Sequence, residues 1–269
     1  MTQGPLEGLV VADFSRVLAG PFATMLLGDL GADVVKVEHP EGGDETRAWG
    51  PPFSGGHSTY YLAVNRNKRS VALDLKRDQD RRAARALAAE ADVLVENFKA
   101  GAAERLGLGY EEVARDNPGL VWCSISGFGH GAGAELPGYD FLVQAMSGLM
   151  SITGPAGGEP TKVGVALVDV LTGLYAASGI LAALHARERT GRGQRVEVSL
   201  LGSALASLVN QASSFLCTGV RPQAMGNRHP SITPYETLAT ADRPLVVAVG
   251  NDGQFARLCR VLGLDGTAA

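Results

Sequence analysis

The segment from residue 163 to residue 184 contains a single charged side chain, that of Asp169. A run this long and apolar either crosses a membrane or forms the buried centre of a fold. A carboxylate and three glycines interrupt it, which favours a central helix inside a globular domain. The run therefore predicts the core of the molecule, with an acidic group held inside that core.

Two roles are open for Asp169, which stands near the start of the predicted helix. It is a candidate helix cap, because carboxylate oxygens accept the free N–H groups of a first helical turn. It is equally a candidate nucleophile or base, because the helix dipole favours the ionised form while apolar neighbours exclude water. The run alone does not separate these roles.

Short β-rich runs alternate with helical patterns along the chain, which is typical of βαβ units and a largely parallel sheet. We predict strands over residues 9–14, 32–38, 70–75, 93–96, 120–126, 195–199 and 245–249. We predict helices over residues 19–30, 78–90, 140–150, 169–189, 200–218 and 252–262. The predicted fold class is α/β with a Rossmann-like sheet, although no G-x-G-x-x-G fingerprint follows the first strand.

Composition narrows the functional classes. The chain of 269 residues has 45% hydrophobic and 19% charged residues and a net charge of −4, which indicates a globular protein without a nucleic-acid surface. Its three cysteines are widely spaced in apolar contexts, which predicts buried, reduced thiols and a cytoplasmic location. The first residues lack the features of a signal peptide. No metal-ligand spacing is found among Cys and His, and we predict no metal site.

Basic residues cluster near predicted strand ends, at residues 65–69, at Lys76 and Arg77, and at Arg105. Guanidinium and ammonium groups at strand ends hold phosphates in many proteins. A solvated basic surface explains the same pattern and is the preferred interpretation of the cluster by itself.

Motifs in separate parts of the chain point to one family. They include residues 43–47 (GDETR), 65–70 (NRNKRS) and 95–98 (VENF), and Asp169 falls at a matching position. Further matching segments are residues 6–21, 29–38, 137–140, 190–194 and 226–235. In this order the motifs resemble the class III CoA-transferase family of CaiB/BaiF type, which includes formyl-CoA, carnitine and succinate–hydroxymethylglutarate CoA-transferases.

The resemblance implies an enzyme that moves CoA between carboxylic acids. In that family the residue matching Asp169 attacks an acyl-CoA thioester and forms covalent aspartyl intermediates, and Tyr139 and Asp140 match residues that face the active site. Related α-methylacyl-CoA racemases have a His at the position of Tyr139. A phenol is a poor base at neutral pH, so the transferase is preferred and a racemase-like enzyme is the alternative.

The resemblance also implies a CoA site, with CoA as substrate and no permanently bound cofactor. Val17 and Leu18 are expected near the pantetheine or thioester end, and His39 takes a position that is often basic. The residues expected at the adenine and phosphate groups are Leu73, Leu75, Lys76, Asn97, Phe98 and Arg105.

Residues 46–52 and 226–230 are similar to dicarboxylate transferases that use succinyl-CoA. A dicarboxylate needs a cation for its distal carboxylate, and three candidates stay open, Arg16, Arg47 and Arg228. Formyl-CoA transferases carry a glycine-rich loop that has no match here, which makes oxalate a less expected acceptor.

Family members have a large domain and a small α/β domain, and they form interlocked homodimers. The resemblance implies a large CoA-binding and catalytic domain over residues 1–225 and the start of an incomplete small domain over residues 226–269. Because family members continue further, we expect a fragment with weak or no transfer activity. A CoA-binding module without full activity is therefore a further alternative.

Overall fold

The computed structural model describes residues 4–264, and the elements below belong to that range. The strands are β1 (Val10–Asp13), β2 (Asp33–Glu38), β3 (Phe53–Ser54), β4 (His57–Ser58), β5 (Lys68–Ala72), β6 (Val93–Glu96), β7 (Val121–Ser126), β8 (Arg195–Ser199), β9 (Tyr235–Leu238) and β10 (Leu245–Ala248). The α-helices are α1 (Ala19–Asp29), α2 (Thr59–Val64), α3 (Asp78–Glu90), α4 (Ala102–Arg105), α5 (Tyr110–Asp116), α6 (Asp140–Met146), α7 (Leu167–Thr190), α8 (Leu200–Ser207), α9 (Val209–Thr218) and α10 (Asp252–Val261). Short 3₁₀ helices cover Glu45–Ala48 and Leu149–Ile152.

Six parallel strands form the main sheet in the order β5-β2-β1-β6-β7-β8. In the register of the central strand, Val11 is paired with Val34 of β2 on one side and Val93 of β6 on the other. The strand order reverses between β1 and β6, and ligands of such sheets bind beyond the carboxyl ends of the strands at this point. The predicted α/β class and parallel sheet are confirmed.

Both faces of the sheet centre are buried, which explains its continuous apolar strands. All four residues of β6 are buried, and so is Trp122 of β7, whose indole N–H donates to the carbonyl of Leu108 over 3.0 Å. On one face, Ala84 and Ala88 of α3 pack into the core. These alanines are four residues apart, so they share the helix face that meets the sheet.

Helix α7 packs against α1, α8, β7 and β8. Gly173 permits the close approach to α1, because a Cβ at that position would lie 2.7 Å from the carbonyl oxygen of Ala19. Within the described range, α7 is long and apolar enough to cross a membrane, and α8 and α9 are so when the bent pair is taken together. In this fold α7 begins at Leu167, two residues before the predicted start, and its buried face meets the sheet.

The described chain divides into two compact units, one of residues 4–147 and 164–209, the other of residues 148–163 and 210–264. The proposed domain boundary at residue 226 differs from this division. The chain leaves the first unit after α6 and returns before α7. The intervening residues 148–163 contain four glycines and two prolines, a signal that the predicted boundary did not use. In the second unit β9 and β10 form an antiparallel pair, of which β9 was not predicted.

Two other expectations need correction. The helix predicted over residues 200–218 is broken after Ser207, since Val209 has a φ of 37°, which the interior of a helix does not allow. Cys123 and Cys259 are buried as expected, but Cys217 is exposed. It lies on α9, which has no buried residue.

Candidate active site

The first turn of α7 is capped by Asp140, not by Asp169. The Asp140 Oδ1 atom accepts hydrogen bonds from the backbone N–H groups of Val168 over 2.8 Å and Asp169 over 3.3 Å. Its Oδ2 atom accepts from the Gln144 amide over 2.6 Å. The carboxylate of Asp169 accepts no hydrogen bond from residues 4–264. The capping role considered for Asp169 is therefore filled, and its carboxylate is left available for chemistry.

Burial and, to a smaller extent, the negative charge of Asp140 together raise the pKa of Asp169 from its ordinary value of 3.8 to about 7. Tyr60 lies in the same electrostatic environment. Burial, and then the charges of Asp169, Asp140 and Asp44, raise the pKa of Tyr60 to about 12. At neutral pH the site therefore combines a neutral phenol with a carboxyl group that is close to half-ionised.

Asp169 opens onto a cleft of about 480 Å³, called the Asp169 cleft below. Its walls come from the loop after β1, the loop after β6, the end of β7 with the glycine-rich segment that follows, and the starts of α7, β8 and α8. The lining residues include Arg16, Val17, Leu18, Ala19, Glu45, Glu96, Asn97, Phe98, Lys99, Gly101, Glu104, Trp122, Ser124, His130, Glu135, Tyr139, Asp169 and Arg195. The cleft thus lies at the carboxyl ends of β1, β6 and β7, where the strand order predicts a ligand.

Buried side chains fix the backbone of the loop after β1. The Lys36 ammonium donates to the carbonyl of Ser15 over 2.8 Å and pairs with the Asp44 carboxylate at 3.0 Å. Asp44 Oδ2 accepts the backbone N–H of Val17 over 3.3 Å. Val17 has a φ of 70°, a costly conformation for a β-branched residue, and such strain persists only where surrounding contacts enforce it. This ion pair supplies that enforcement.

Asn97 joins the loop after β6 to the loop after β1. Its Oδ1 atom accepts the backbone N–H of Arg16 over 2.9 Å, and its Nδ2 group donates to the carbonyl of Arg16 over 2.8 Å. The amide therefore bridges the point at which the strand order reverses. Although Asn97 was predicted to contact CoA, its side chain is committed here to Arg16.

A second buried ion pair lies beneath this loop. Lys68 Nζ is 3.0 Å from Asp13 Oδ2, which also accepts a hydrogen bond from the Thr24 hydroxyl. Burial would raise the pKa of Asp13, but the charges of Lys68 and Lys36 overcome it and hold the pKa at about 2. Burial lowers the pKa of Lys68 to about 8, and its attraction to Asp13 only partly offsets this effect. The pair anchors the carboxyl end of β1.

Six of the twelve predicted site residues line the Asp169 cleft, namely Asp169, Tyr139, Val17, Leu18, Asn97 and Phe98. Tyr139 is 61% exposed and makes no hydrogen bond through its hydroxyl to the described residues. Asp140 does not line the cleft, but it caps the helix that carries Asp169. The structure therefore places the three predicted catalytic residues around one helix start.

The other predicted CoA residues follow strands at the same edge of the sheet, outside the cleft lining. His39 follows β2, and its Nε2 atom lies 3.9 Å from Asp74, beyond β5. Leu73 and Leu75 pack against the core cluster together with Phe98. Lys76 is exposed beyond β5, and Arg105 is exposed at the end of α4 with its backbone N–H bonded to Gly101 of the cleft rim.

The basic cluster at residues 65–69 is structural. Arg66 pairs with Asp29, Arg69 pairs with Asp33, and Lys68 pairs with Asp13. The cluster precedes or begins β5, so it lies towards the amino end of that strand, away from the carboxyl edge. These ion pairs explain the cluster without a phosphate.

Two residues near the site were not predicted. Tyr60 stands in a tyrosine pair on α2 with no sequence signal for its role. Glu96 is the last residue of β6, only 3% exposed, and lines the cleft. Burial raises the pKa of Glu96 to about 6, against the lowering effect of hydrogen bonds from Ser124 and the Phe98 backbone. Its position directly before the predicted Asn97 and Phe98 was the one available signal.

Comparison with known proteins agrees with this architecture. The chain is 50% identical over 271 residues to a succinate–glutarate CoA-transferase of Agrobacterium fabrum, covering 98% of this chain and 68% of that protein. It is 48% identical over 261 residues to the human succinyl-CoA:glutarate CoA-transferase, covering 97% of this chain and 60% of that protein. It is 46% identical to an acetyl-CoA:oxalate CoA-transferase of Acetobacter aceti, covering 97% of this chain and 67% of that protein. The chain therefore spans about two thirds of the length of these relatives.

Among solved structures, a CaiB/BaiF family protein from Brucella suis superposes with a TM-score of 0.88 and 48% identity. The superposition covers 98% of this chain and 71% of that one. The family model described as CoA-transferase family III matches residues 6–269. Nearly the whole sequence is included in each comparison, and the chain belongs to CoA-transferase family III.

Proposed function

We propose that this protein transfers CoA between carboxylic acids, with Asp169 as the nucleophile. One observation carries the proposal: the Asp169 carboxylate opens onto the cleft and accepts no hydrogen bond from residues 4–264, while Asp140 caps its helix. A carboxylate that is not needed for folding, and whose pKa is raised, is more basic and less hydrated than an ordinary one. Both properties increase its nucleophilicity.

In the proposed first step, an Asp169 oxygen attacks the thioester carbonyl of an acyl-CoA. The carbon–sulfur bond breaks, the CoA thiolate leaves with the electron pair, and a mixed anhydride forms. The thiolate then attacks the aspartyl carbonyl, which expels the first carboxylate and leaves an aspartyl-CoA thioester. An acceptor carboxylate reverses these two steps, and the new acyl-CoA departs as the Asp169 carboxylate is restored.

The chain contributes water exclusion and fixed geometry to these steps. An anhydride hydrolyses quickly in water, so a partly buried nucleophile protects its own intermediate. Near Asp169 the apolar cluster of Leu18, Met25 and Val64 packs against Ala166 and Val170. These side chains keep one side of the reacting carboxylate dry, while the cleft admits substrate from the other.

We propose that CoA lies along the carboxyl edge of the sheet, from Asp169 towards the loop after β5. The pantetheine arm would pass Val17 and Leu18. The apolar surface of Leu73, Leu75 and Phe98 suits the adenine ring, and the exposed cations Lys76 and Arg105 suit the phosphates. His39, whose ring is near Asp74, would have a minor part.

For the substrates we propose dicarboxylic acids. The relatives at 46–50% identity are named for succinate, glutarate or oxalate, which are all dicarboxylates. Oxalate becomes a candidate acceptor through the Acetobacter relative, although the sequence lacks the glycine-rich loop of formyl-CoA transferases. A cytoplasmic homodimer completes the proposal, and light scattering of the purified protein tests its assembly state.

The test offers succinyl-CoA and ¹³C-labelled glutarate, and follows glutaryl-CoA by mass spectrometry. The wild-type protein should form it, and Asp169→Asn should form none while still binding CoA. Without an acceptor, hydroxylamine should convert the Asp169 adduct to a hydroxamate on the matching peptide. Asp116→Asn, on the surface beside Arg85, is the control and should retain activity. Normal turnover by the Asp169 variant would refute the mechanism.

A further inference from the structure

We infer that Arg16 binds the distal carboxylate of the dicarboxylate substrate, an inference that rests on the proposed function. Arg16 lines the Asp169 cleft, and its side chain is exposed. Its guanidinium forms no salt bridge or hydrogen bond with the residues from 4 to 264. The planar guanidinium fork matches a carboxylate in a bidentate arrangement, which gives the group a geometric preference for this ligand.

The backbone of Arg16 is held more rigidly than an exposed loop residue requires. Asn97 binds both its N–H and its carbonyl, at 2.9 and 2.8 Å. The residues on either side are fixed through Lys36 and Asp44. A fixed backbone below an unpaired cation reduces the conformational entropy lost when a ligand binds. Such preorganisation is expected of a binding residue.

The other candidate cations are committed to acidic partners. Arg47 donates to both oxygens of Glu38, at 2.8 and 2.7 Å, and to the Tyr61 hydroxyl. Arg228 pairs with Glu236 at 3.1 Å, within the second compact unit. Of the three arginines proposed from the sequence, Arg16 alone has a guanidinium without a partner among the described residues.

Two further basic groups in the cleft share one acidic partner. Arg195 and His130 both pair with Glu197. Lys99, also in the cleft, has no ionic partner in the described chain. Its ammonium lacks the planar fork of an arginine, however, and among the described residues no side chain binds both its backbone N–H and its carbonyl. Arg16 therefore combines availability, geometry and rigidity.

The charge of the cleft makes such a cation necessary. Four glutamates and Asp169 outnumber the lining cations Arg16, Lys99 and Arg195, so a dianionic acceptor meets more acidic than basic side chains; the glutamates are Glu45, Glu96, Glu104 and Glu135. Val17, next to Arg16, belongs to the apolar cluster that also contacts Val170, next to Asp169. The loop that carries Arg16 is thus packed near the helix turn that carries the nucleophile. One carboxylate of the substrate would react there while the other pairs with Arg16.

The test uses acetyl-CoA as donor, because it has no distal carboxylate, with glutarate and valerate as acceptors. These acids have the same chain length, but valerate ends in a methyl group. In Arg16→Met, kcat/KM for glutarate should fall at least tenfold, while transfer to valerate and formation of the acetyl adduct from acetyl-CoA alone should stay within twofold. In Arg16→Lys, kcat/KM for glutarate should lie between the values of the wild type and of Arg16→Met. Arg82→Met, on the exposed face of α3, is the matched control.

An equal fall with both acceptors, or a slower acetyl adduct, would assign Arg16 to CoA binding or to folding and overturn the inference. A preference for glutarate over valerate that is the same in Arg16→Met as in wild type would overturn it as well. A wild-type protein that transfers CoA to no acid would refute the proposed function instead. Titration with ¹³C-glutarate, followed by NMR, then tests the inference about Arg16 independently of turnover. The Kd for glutarate should rise at least tenfold in Arg16→Met. An unchanged Kd, or no binding by the wild type, would refute the inference.

Discussion

Asp140 and Asp169 divide two tasks at one helix start: the Asp140 Oδ1 atom lies 3.3 Å from the backbone nitrogen of Asp169 and caps α7. The capping carboxylate is held by the helix N–H groups and by Gln144. The Asp169 carboxylate accepts no hydrogen bond from residues 4–264, and the charge of Asp140 contributes to its raised pKa. The cap therefore both builds the helix and increases the basicity of the proposed nucleophile.

Asp140→Asn should shift the pH dependence of acylation to lower pH. Asparagine still offers an oxygen to the helix N–H groups, but it removes the charge that helps to raise the pKa of Asp169. Since attack requires the ionised carboxylate, the wild-type rate of adduct formation should rise with pH around 7. Single-turnover rates between pH 5 and 9 measure the midpoint. Asp116→Asn is the control and should leave the midpoint unchanged. A midpoint of Asp140→Asn that matches wild type would rule out this electrostatic coupling.

Asp169→Asn should stabilise the protein above neutral pH. The folded-state pKa of about 7 exceeds the ordinary value of 3.8, so the native state loses stability as pH rises through this range. Asparagine does not ionise and avoids that loss. We expect a gain of about 1–2 kcal/mol at pH 8, less than the full shift implies because the group is partly solvated. Urea unfolding at pH 4 and pH 8 checks it, and a gain of equal size at both values would contradict it.

Lys68→Met should destabilise the fold by about 3–5 kcal/mol, because it leaves the buried Asp13 carboxylate without its ion-pair partner. The Asp13 pKa should rise from about 2, so the variant should also unfold at a higher pH during acid titration. Urea unfolding and acid titration give the two readouts. Arg66→Met removes a comparable but exposed pair with Asp29 and should have little effect. Equal stability of the two variants would mean that the buried pair has no special weight.

The protein should not exchange the α-proton of 2-methylacyl-CoA with deuterated water. Tyr139 stands where racemases have a histidine, and a phenol holds its proton too tightly to act as a base near neutral pH. Mass spectrometry after incubation in deuterium oxide detects the exchange. Deuterium incorporation that is lost in Tyr139→Phe would favour racemase chemistry over transfer.

The sheet was predictable because buried parallel strands have continuous apolar runs, as in β6 and β7, and such runs are visible in a sequence. Strand β5 was placed less well, since its residues from Lys68 to Ser70 are polar; Lys68 and Arg69 form ion pairs, and Ser70 donates a hydrogen bond to Glu38. The break between α8 and α9 and the short β9 depend on local backbone conformation, which the hydrophobic pattern does not encode.

In the site, the isolation of Asp169 in an apolar run marked it as a candidate, and the family resemblance favoured the nucleophile over the helix cap. The cap by Asp140 could not be deduced, because it joins residues 28 and 29 positions apart in the chain. The same limit applies to Arg16: the sequence proposed three arginines, and only their tertiary partners distinguish them. The role of Asn97 as a bridge, and the grouping of Glu96 with the other acidic residues of the cleft, likewise depend on contacts between separate strands.

The strand order also constrains the order in time in which parts of this protein can fold during synthesis. Strand β1 pairs early with β2, but its other neighbour, β6, follows only after an intervening segment; the bond from Val10 to Asp92 spans 82 positions. Closing so long a loop costs entropy before any contact repays it. The nascent chain therefore exposes one edge of β1 until β6 emerges from the ribosome. Arg16 can form its Asn97 bridge only then, and the Asp169 cleft is complete only after α7 and the start of α8 have been synthesised.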